Sequence, residues 1–379
     1  MKTLTQVAKA RLEVLCSHLP GGPTVGEASR VLEAMMHGWG ERSLDLPPFP
    51  SHIGDDHSPF EFSLAFAANS CPELRLLVEA QSELSNPTLR DVAEAGLKLN
   101  TELSRRFGLP MDRFEAVRDL FLPSEPEGAF ALWHAACVWR GRAPEFKIYL
   151  NPQSQGEGRA REVVQEALSR LGMGDAAEQL FAHGGYRGPE LDEICYFSLD
   201  LSRSARARVK IYYRHHSVTA AELEQALSYS AGHQPGDIQR FAERMAPGVE
   251  RFDKKPVGSC FSYVQGSAEP LAATLHLPIA HYAANDQVSA ARIARGLDAG
   301  PLQDAYVNLI EAFAGRPLAA GSGLQSYASF RREPGGLRHT VYISPEVYQP
   351  SMFHPMGLPL VDLERAEHKN DNAAAQKSA

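Results

Sequence analysis

At 379 residues and a formal net charge of −8, the chain has no cationic excess able to neutralise a nucleic-acid backbone, which excludes that class of partner. Hydrophobic residues at 44% and charged residues at 22% place it among ordinary globular proteins, and no apolar run approaches the roughly 20 residues that a membrane helix needs. Cys16, Cys71, Cys137, Cys195 and Cys260 stand far apart with no Cys-x-x-Cys pair, which reads as reduced thiols and not as a disulfide framework or a zinc site; with an N-terminus that lacks the order of a signal peptide, the expectation is a cytoplasmic protein.

In chain order, apolar residues at three-four spacing predict helices over 3–18 and 26–37. Period-two alternation then predicts a strand pair over 60–67 and 73–79. A helix follows over 86–107, where Asn86-Pro87 offers a cap and a first-turn proline. The next pair is 130–140 with 145–150, followed by helices over 158–171 and 174–183. The pair 194–201 with 206–215 precedes helices over 220–230 and 235–245, the first of them opened by Thr219 and Glu222 at capping-box spacing. The pair 257–264 with 271–279, helices over 286–297 and 301–314, and the pair 322–331 with 338–345 complete the pattern. The polar, Ala/Asn/Lys-rich stretch 366–379 is expected to be a disordered tail.

Short turn-forming gaps such as Arg140-Gly141-Arg142-Ala143-Pro144 and Glu333-Pro334-Gly335-Gly336 favour antiparallel hairpins. The pairs recur every ~65–70 residues with helices between them, an internal repeat. Five helix-plus-hairpin units give ten antiparallel strands, which can close into one barrel and leave no edge. No linker-like stretch divides the units, so residues 1–365 are expected to form a single α+β domain.

The second strand of each pair separates a polar face from an apolar one. Lys147 and Tyr149 oppose Phe146, Ile148 and Leu150; Arg208, Lys210 and Tyr212 oppose Val209, Ile211 and Tyr213; Thr274 and His276 oppose Leu275 and Leu277; Thr340, Tyr342 and Ser344 oppose Val341 and Ile343. In the first pair, Arg75, Leu77 and Glu79 oppose Leu74, Leu76 and Val78, while Glu61 and Ser63 oppose Phe60, Phe62 and Leu64. Helices with apolar faces would cover the apolar strand face, leaving the polar face inside a barrel too wide for side chains to fill. A polar face in bulk water is the alternative; it accounts for single charges but not for Lys or Arg alternating with Tyr or His on equivalent strands.

Lys147, Arg208 and Lys210, with Arg75, would form a compact cationic site for an anion such as a diphosphate. A diphosphate carries about three negative charges, and each close charge pair gains roughly 4 kcal/mol before desolvation at an effective dielectric near 20. Charge-assisted hydrogen bonds add about 1.5–3 kcal/mol each. Tyr149, Tyr212 and Tyr342 share that face, and aromatic faces attract a cation by about 0.5–2 kcal/mol while excluding water; packing is the alternative role for each tyrosine taken singly. Ionising an allylic diphosphate needs these parts together. Glu61 is positioned to accept an indole N–H or a proton, with a solvated surface glutamate as the alternative. No Asp-Asp-x-x-Asp, P-loop, Gly-x-Gly-x-x-Gly or Gly-x-Ser-x-Gly motif is present, and Asp55-Asp56 reads as a turn into the first strand.

Asp55-Asp56-His57-Ser58-Pro59-Phe60-Glu61-Phe62-Ser63, Lys147-Ile148-Tyr149-Leu150-Asn151-Pro152, Arg208-Val209-Lys210-Ile211-Tyr212, Thr274-Leu275-His276-Leu277-Pro278 and Thr340-Val341-Tyr342-Ile343-Ser344 resemble, in that order, the indole prenyltransferases of the dimethylallyltryptophan synthase family. The bacterial tryptophan prenyltransferases are the nearest in kind, including those that alkylate the six-position. The resemblance implies the ABBA or PT barrel, ten antiparallel strands inside a ring of helices. It implies transfer of a dimethylallyl group from dimethylallyl diphosphate to the indole ring of L-tryptophan by Friedel–Crafts alkylation, with no metal or other cofactor, in a monomer or homodimer. Glu61 then matches the glutamate that binds the indole N–H, Arg75, Lys147, Arg208 and Lys210 match diphosphate ligands, and Tyr149, Tyr212 and Tyr342 match the cation shield. His276 and Tyr342 are expected to donate to the diphosphate, although Thr274 and His276 stand where fungal members carry Lys or Gln and Tyr. A lysine proposed as proton acceptor in some fungal members falls near Trp133-His134. His134 is therefore the candidate acceptor of the final proton and Trp133 a candidate stacking partner of the indole, with core packing the alternative for both. Rival acceptors are a tyrosine, an indole-containing cyclic dipeptide or an indolactam; a non-catalytic diphosphate-binding module is the rival of another class.

Overall fold

The computed structural model describes residues 2–348 apart from 47–48, 68–69, 298–300 and 334. The predicted tail over 366–379, and the predicted end of the domain at 365, lie outside the described residues. The strands are β1 (Phe60–Ala67), β2 (Glu73–Val78), β3 (Leu132–Val138), β4 (Glu145–Leu150), β5 (Asp192–Asp200), β6 (Val209–His215), β7 (Val257–Tyr263), β8 (Ala272–Leu277), β9 (Gln325–Glu333) and β10 (Gly336–Ile343). Each pairs antiparallel with its chain neighbours, and β10 returns to pair with β1, so the ten close into a barrel without an edge. The closing register sets Ser63 opposite Tyr342 and Ala65 opposite Thr340.

Around the barrel run α1 (Leu4–His18), α2 (Val25–Met35), α3 (Leu89–Phe107), α4 (Asp112–Glu115), α5 (Arg118–Phe121), α6 (Ala160–Arg170), α7 (Asp175–His183), α8 (Ala220–Leu227), α9 (Asp237–Met245), α10 (Asp286–Ala294) and α11 (Pro301–Phe313). Thr219 and Glu222 form the predicted capping box at the start of α8. The start of α3 differs from the prediction: the cap is Thr88, boxed with Asp91, and not Asn86-Pro87, because Thr88 can satisfy the Asp91 N–H while Asp91 satisfies its own. Gly108 ends α3 in the left-handed conformation that a Cβ would strain. The single-turn α4 and α5 are too short to leave a periodic signal. Among the described residues no helix is long and apolar enough to cross a membrane.

The core lies between the outer strand face and the helices. Phe62, Leu74, Ile148, Ile211, Phe261, Leu275 and Val341 are all buried there. Phe62 meets Phe313 of α11 edge-on at 6.2 Å, and Phe197 of β5 meets Phe121 of α5 at 4.9 Å. Phe261, fully buried beneath Tyr213 and Tyr229, is a test of this packing. Phe261→Ala is expected to cost about 3–5 kcal/mol of stability, read as a lowered Tm, through the cavity it leaves outside the barrel.

Candidate active site

The inner face carries the polar residues, as the alternation predicts. One end of the interior is lined by Arg75, Lys147, Lys210, Arg331 and Arg338, with Glu61, Ser63, Cys137, Thr274, Ser329 and Thr340. Strand register brings the cations together: Thr274 of β8 faces Arg331 of β9, which faces Arg338 of β10. Two carboxylates, one buried and one half-buried, aim them. Glu73 accepts from Arg75 and, at 3.0 Å, from Arg338; Glu333 accepts from Arg331 and, at 3.1 Å, from Arg338. Burial alone would raise the Glu73 carboxyl, but Arg75, Lys147 and Arg338 hold it well below the usual range.

Arg208 stands just before β6 and donates through Nε to Asp200 at 2.7 Å. Expected among the diphosphate ligands, it is not a lining residue, because Asp200 holds its guanidinium, yet it lies close enough to disfavour the charge on Lys147 and Lys210. Counting it, six cations share Glu73, Asp200 and Glu333, leaving an excess of three when these are ionised and Glu61 is protonated, and of two when Glu61 is ionised as well, close to the roughly three negative charges of a diphosphate. The Lys147 Nζ donates to Cys137 Sγ at 3.1 Å. Burial, then Arg208, Lys147 and Arg331, hold the Lys210 amine well below its ordinary pKa, against the raising effect of Cys260. An arriving polyanion would restore its charge. Ser198 and Ser262, the register neighbours of Lys210, have buried hydroxyls with no partner among the described residues.

The other end is a cavity of about 440 Å³ lined by Trp133, Tyr149, Tyr196, Tyr212, Tyr327, Tyr342, His276 and Leu77, with charged residues at its mouth. The rings form a continuous wall: Trp133 to Tyr196 at 5.3 Å, Tyr196 to Tyr212 at 5.7 Å, Tyr212 to His276 at 5.9 Å, His276 to Tyr342 at 5.7 Å and Tyr342 to Tyr327 at 6.3 Å. Tyr212 donates its hydroxyl to that of Tyr149 at 3.4 Å. His276 Nδ1 pairs with the Tyr342 hydroxyl at 3.2 Å, and its Nε2 has no partner among the described residues. Burial and the nearby Lys210, Arg75 and Arg331 lower the His276 pKa to about 3, so the ring is neutral. Glu61, Leu77, Tyr149, Tyr212, His276 and Tyr342 belong to both ends, which are therefore two compartments of one chamber.

At the mouth, Arg214 donates to Glu193 and to the Tyr196 hydroxyl, each at 3.0 Å. Opposite them Lys255 donates to Asp55 at 2.7 Å and lies over the Tyr327 ring at 5.3 Å. Asp55 belongs to the turn before β1, as the sequence predicts. A bulge in β5 between Ile194 and Tyr196 turns Glu193 and Tyr196 inward together.

Glu61 sits where the compartments meet. A second bulge, where β9 meets β10 beside Tyr342, inserts Ser326, whose Oγ donates to Glu61 Oε2 at 3.1 Å. Burial outweighs that bond and raises the Glu61 carboxyl to about 8, with Asp55 and Asp56 adding to the shift and Lys255 opposing it. Its free oxygen is suited to an N–H donor from a bound ring.

The interior thus holds Glu61, Arg75, Lys147, Lys210, His276, Tyr149, Tyr212, Tyr342 and Trp133 as expected. His134 does not belong with them. In β3 it alternates with Trp133 and Ala135, points outward against α3, and pairs through Nε2 with Asn100 Oδ1 at 2.7 Å. Burial lowers its pKa to about 3, so it is neutral as well as out of reach. Its candidacy as proton acceptor is withdrawn, and packing is its role. Arg331, Arg338, Tyr196, Tyr327 and Arg214 were not anticipated. Arg338 shares the parity of Thr340 and Tyr342 and was legible; Arg331 fell at the predicted end of a strand that continues to Glu333.

The family model described as tryptophan dimethylallyltransferase matches residues 37–300. The chain is 32% identical to 6-dimethylallyltryptophan synthase from Micromonospora olivasterospora, solved in complex with DMASPP and Trp; the match covers 92% of this chain and 99% of that one, with a TM-score of 0.85. Against 5-dimethylallyl tryptophan synthase from Streptomyces coelicolor, also solved with DMASPP and Trp, identity is 30%, coverage 92% and 96%, and the TM-score 0.81. NotF prenyltransferase, 17% identical over 88% of this chain and 92% of its own, shares the fold with a TM-score of 0.71. The ten-stranded barrel, the chamber inside it and these likenesses agree: the chain belongs to the tryptophan dimethylallyltransferase family of prenyltransferases.

Proposed function

We propose that this chain moves the dimethylallyl group of dimethylallyl diphosphate onto the indole ring of L-tryptophan without a metal ion, and that residues 1–365 act as one catalytic domain in the cytoplasm. The observation that carries the proposal is the single chamber with a cationic end, an aromatic end and Glu61 between them. Arg75, Lys147, Lys210, Arg331 and Arg338 bind the diphosphate and stabilise it as the allylic C–O bond breaks and its electron pair leaves with oxygen. Tyr149, Tyr212 and Tyr342 face the resulting cation and keep water from it. Glu61 accepts the indole N–H, orients the ring and raises its electron density; a ring carbon supplies the pair for the new C–C bond. The proton on that carbon is then lost, and with His134 facing outward, Glu61 or the departing diphosphate takes it. Five free cysteines fit a reducing compartment.

The charges at the mouth favour a free amino acid as acceptor. Arg214 and Lys255 can take a carboxylate, Glu193 and Asp55 an ammonium, and a cyclic dipeptide offers neither charge. The solved relatives with bound Trp support the same acceptor, and the six-position is the proposed site of attachment on the likeness to the 6-dimethylallyl enzyme. Incubation of the chain with both substrates, with and without EDTA, should yield a singly prenylated tryptophan in equal amounts, with proton NMR placing the group at C6. No mass gain on tryptophan would refute the activity, and loss of product in EDTA would refute the metal-free mechanism. Tryptophan should also exceed an indole-containing cyclic dipeptide in kcat/KM by about tenfold or more, one charge-assisted contact being worth about that factor.

A further inference from the structure

Glu79 is fully buried just past the end of β2, on the inward parity of Arg75 and Leu77, yet it does not line the chamber. Its Oε1 accepts the indole N–H of Trp133 at 3.0 Å. Trp133 does line the aromatic compartment, stacked on Phe130 at 4.1 Å and 29° and tilted against Tyr196. Ser51 lies beside the same carboxyl, at the start of the turn whose His52, Ile53 and Asp55 line the mouth. Glu79 is therefore where the flat wall of the acceptor compartment meets the segment that covers it.

Packing against Phe130 and Tyr196 constrains the plane of the Trp133 ring but not which way its N–H edge points. The torsion that turns an aromatic ring about its Cβ–Cγ bond is broad, so the N–H bond to Glu79 is what selects one edge direction. A buried carboxylate costs free energy that an apolar residue would not, and a partner for one indole N–H is a specific use for it.

We propose that Glu79 is a positioning residue: it locks the Trp133 wall through the indole N–H and thereby selects which ring carbon of the acceptor meets the dimethylallyl cation. This rests on the reaction proposed above. A shift of about 1 Å in a wall that touches the acceptor is enough to change the carbon presented.

The test is the ratio of positional isomers formed from dimethylallyl diphosphate and L-tryptophan, with KM measured for each substrate. Glu79→Leu should change the isomer ratio and raise the tryptophan KM, each by about fivefold, and leave the donor KM within about twofold. Glu79→Gln, which keeps an acceptor oxygen for the N–H, should retain the wild-type ratio. Trp133→Phe removes the same bond from the other partner and should shift the ratio as Glu79→Leu does; it decides the matter should the leucine variant not fold. An unchanged ratio in Trp133→Phe or Glu79→Leu overturns the proposal, as does an equal shift in Glu79→Gln and Glu79→Leu. A wild-type chain that alkylates no tryptophan overturns the reaction and this inference together, whereas an active wild type with unshifted variants overturns this inference alone.

Discussion

Lys210→Ala is expected to lower kcat/KM for dimethylallyl diphosphate by about 10²- to 10³-fold while leaving Tm unchanged or raised. The activity loss follows from place: Lys210 is buried among Lys147, Arg208 and Arg331, where the leaving diphosphate gathers charge, and removal of one preorganised donor of that kind costs about this factor. The stability result follows from sign. Burial and like charges hold the Lys210 pKa below its unfolded value, so the folded state binds its proton less readily than the unfolded chain and the residue detracts from stability at neutral pH. Arg75→Ala should behave differently. It deprives buried Glu73 of one of its two guanidinium partners, so activity and Tm should fall together. Steady-state kinetics and thermal melts on the two variants separate these cases.

Glu61→Gln is expected to lower kcat by about 10²-fold and to leave the donor KM within about threefold, because the side chain serves the acceptor and the proton, not the diphosphate. The pH dependence gives a second readout. Burial raises the Glu61 pKa to about 8, so kcat/KM for tryptophan should rise with pH toward that value as the carboxylate forms, and the glutamine variant should lose the rise. For stability, a carboxyl whose folded pKa lies above its unfolded value contributes fully below the unfolded value near 4.5, and that contribution is lost as pH rises through about 8. The variant should therefore gain Tm relative to wild type from pH 5 to 9. A flat difference across that range, with an unchanged rate profile, would assign Glu61 no ionisable role.

The barrel was legible because five hairpins alternate cleanly and their polar faces carry unlike residues: Lys147 with Tyr149 and Lys210 with Tyr212 can share an interior only in a closed sheet. Glu61 was legible for the same reason. His134 was misread because β3 is apolar on both faces, so Trp133, Ala135 and Cys137 on one side and Leu132, Ala136 and Val138 on the other give no contrast against which to judge parity. Tyr196 and Glu193 depend on the β5 bulge, which changes the phase of alternation with no turn residue to announce it. Two of the bonds that aim the site join residues remote in the chain, Arg338 to Glu73 and Ser326 to Glu61 each across 265 positions, and no spacing rule reaches that far. The Arg338–Glu73 pair thus emerges only when β10 closes on β1.

A crystal soaked with a thiolodiphosphate analogue of the donor and with L-tryptophan shows directly how the chamber seats both substrates. Diphosphate oxygens are expected on Arg75, Lys147 and Lys210, the indole N–H on Glu61, and the ring plane beside Trp133 with a carbon facing the allylic carbon. An analogue bound outside the barrel, or an indole seated with its N–H turned away from Glu61, would contradict this arrangement.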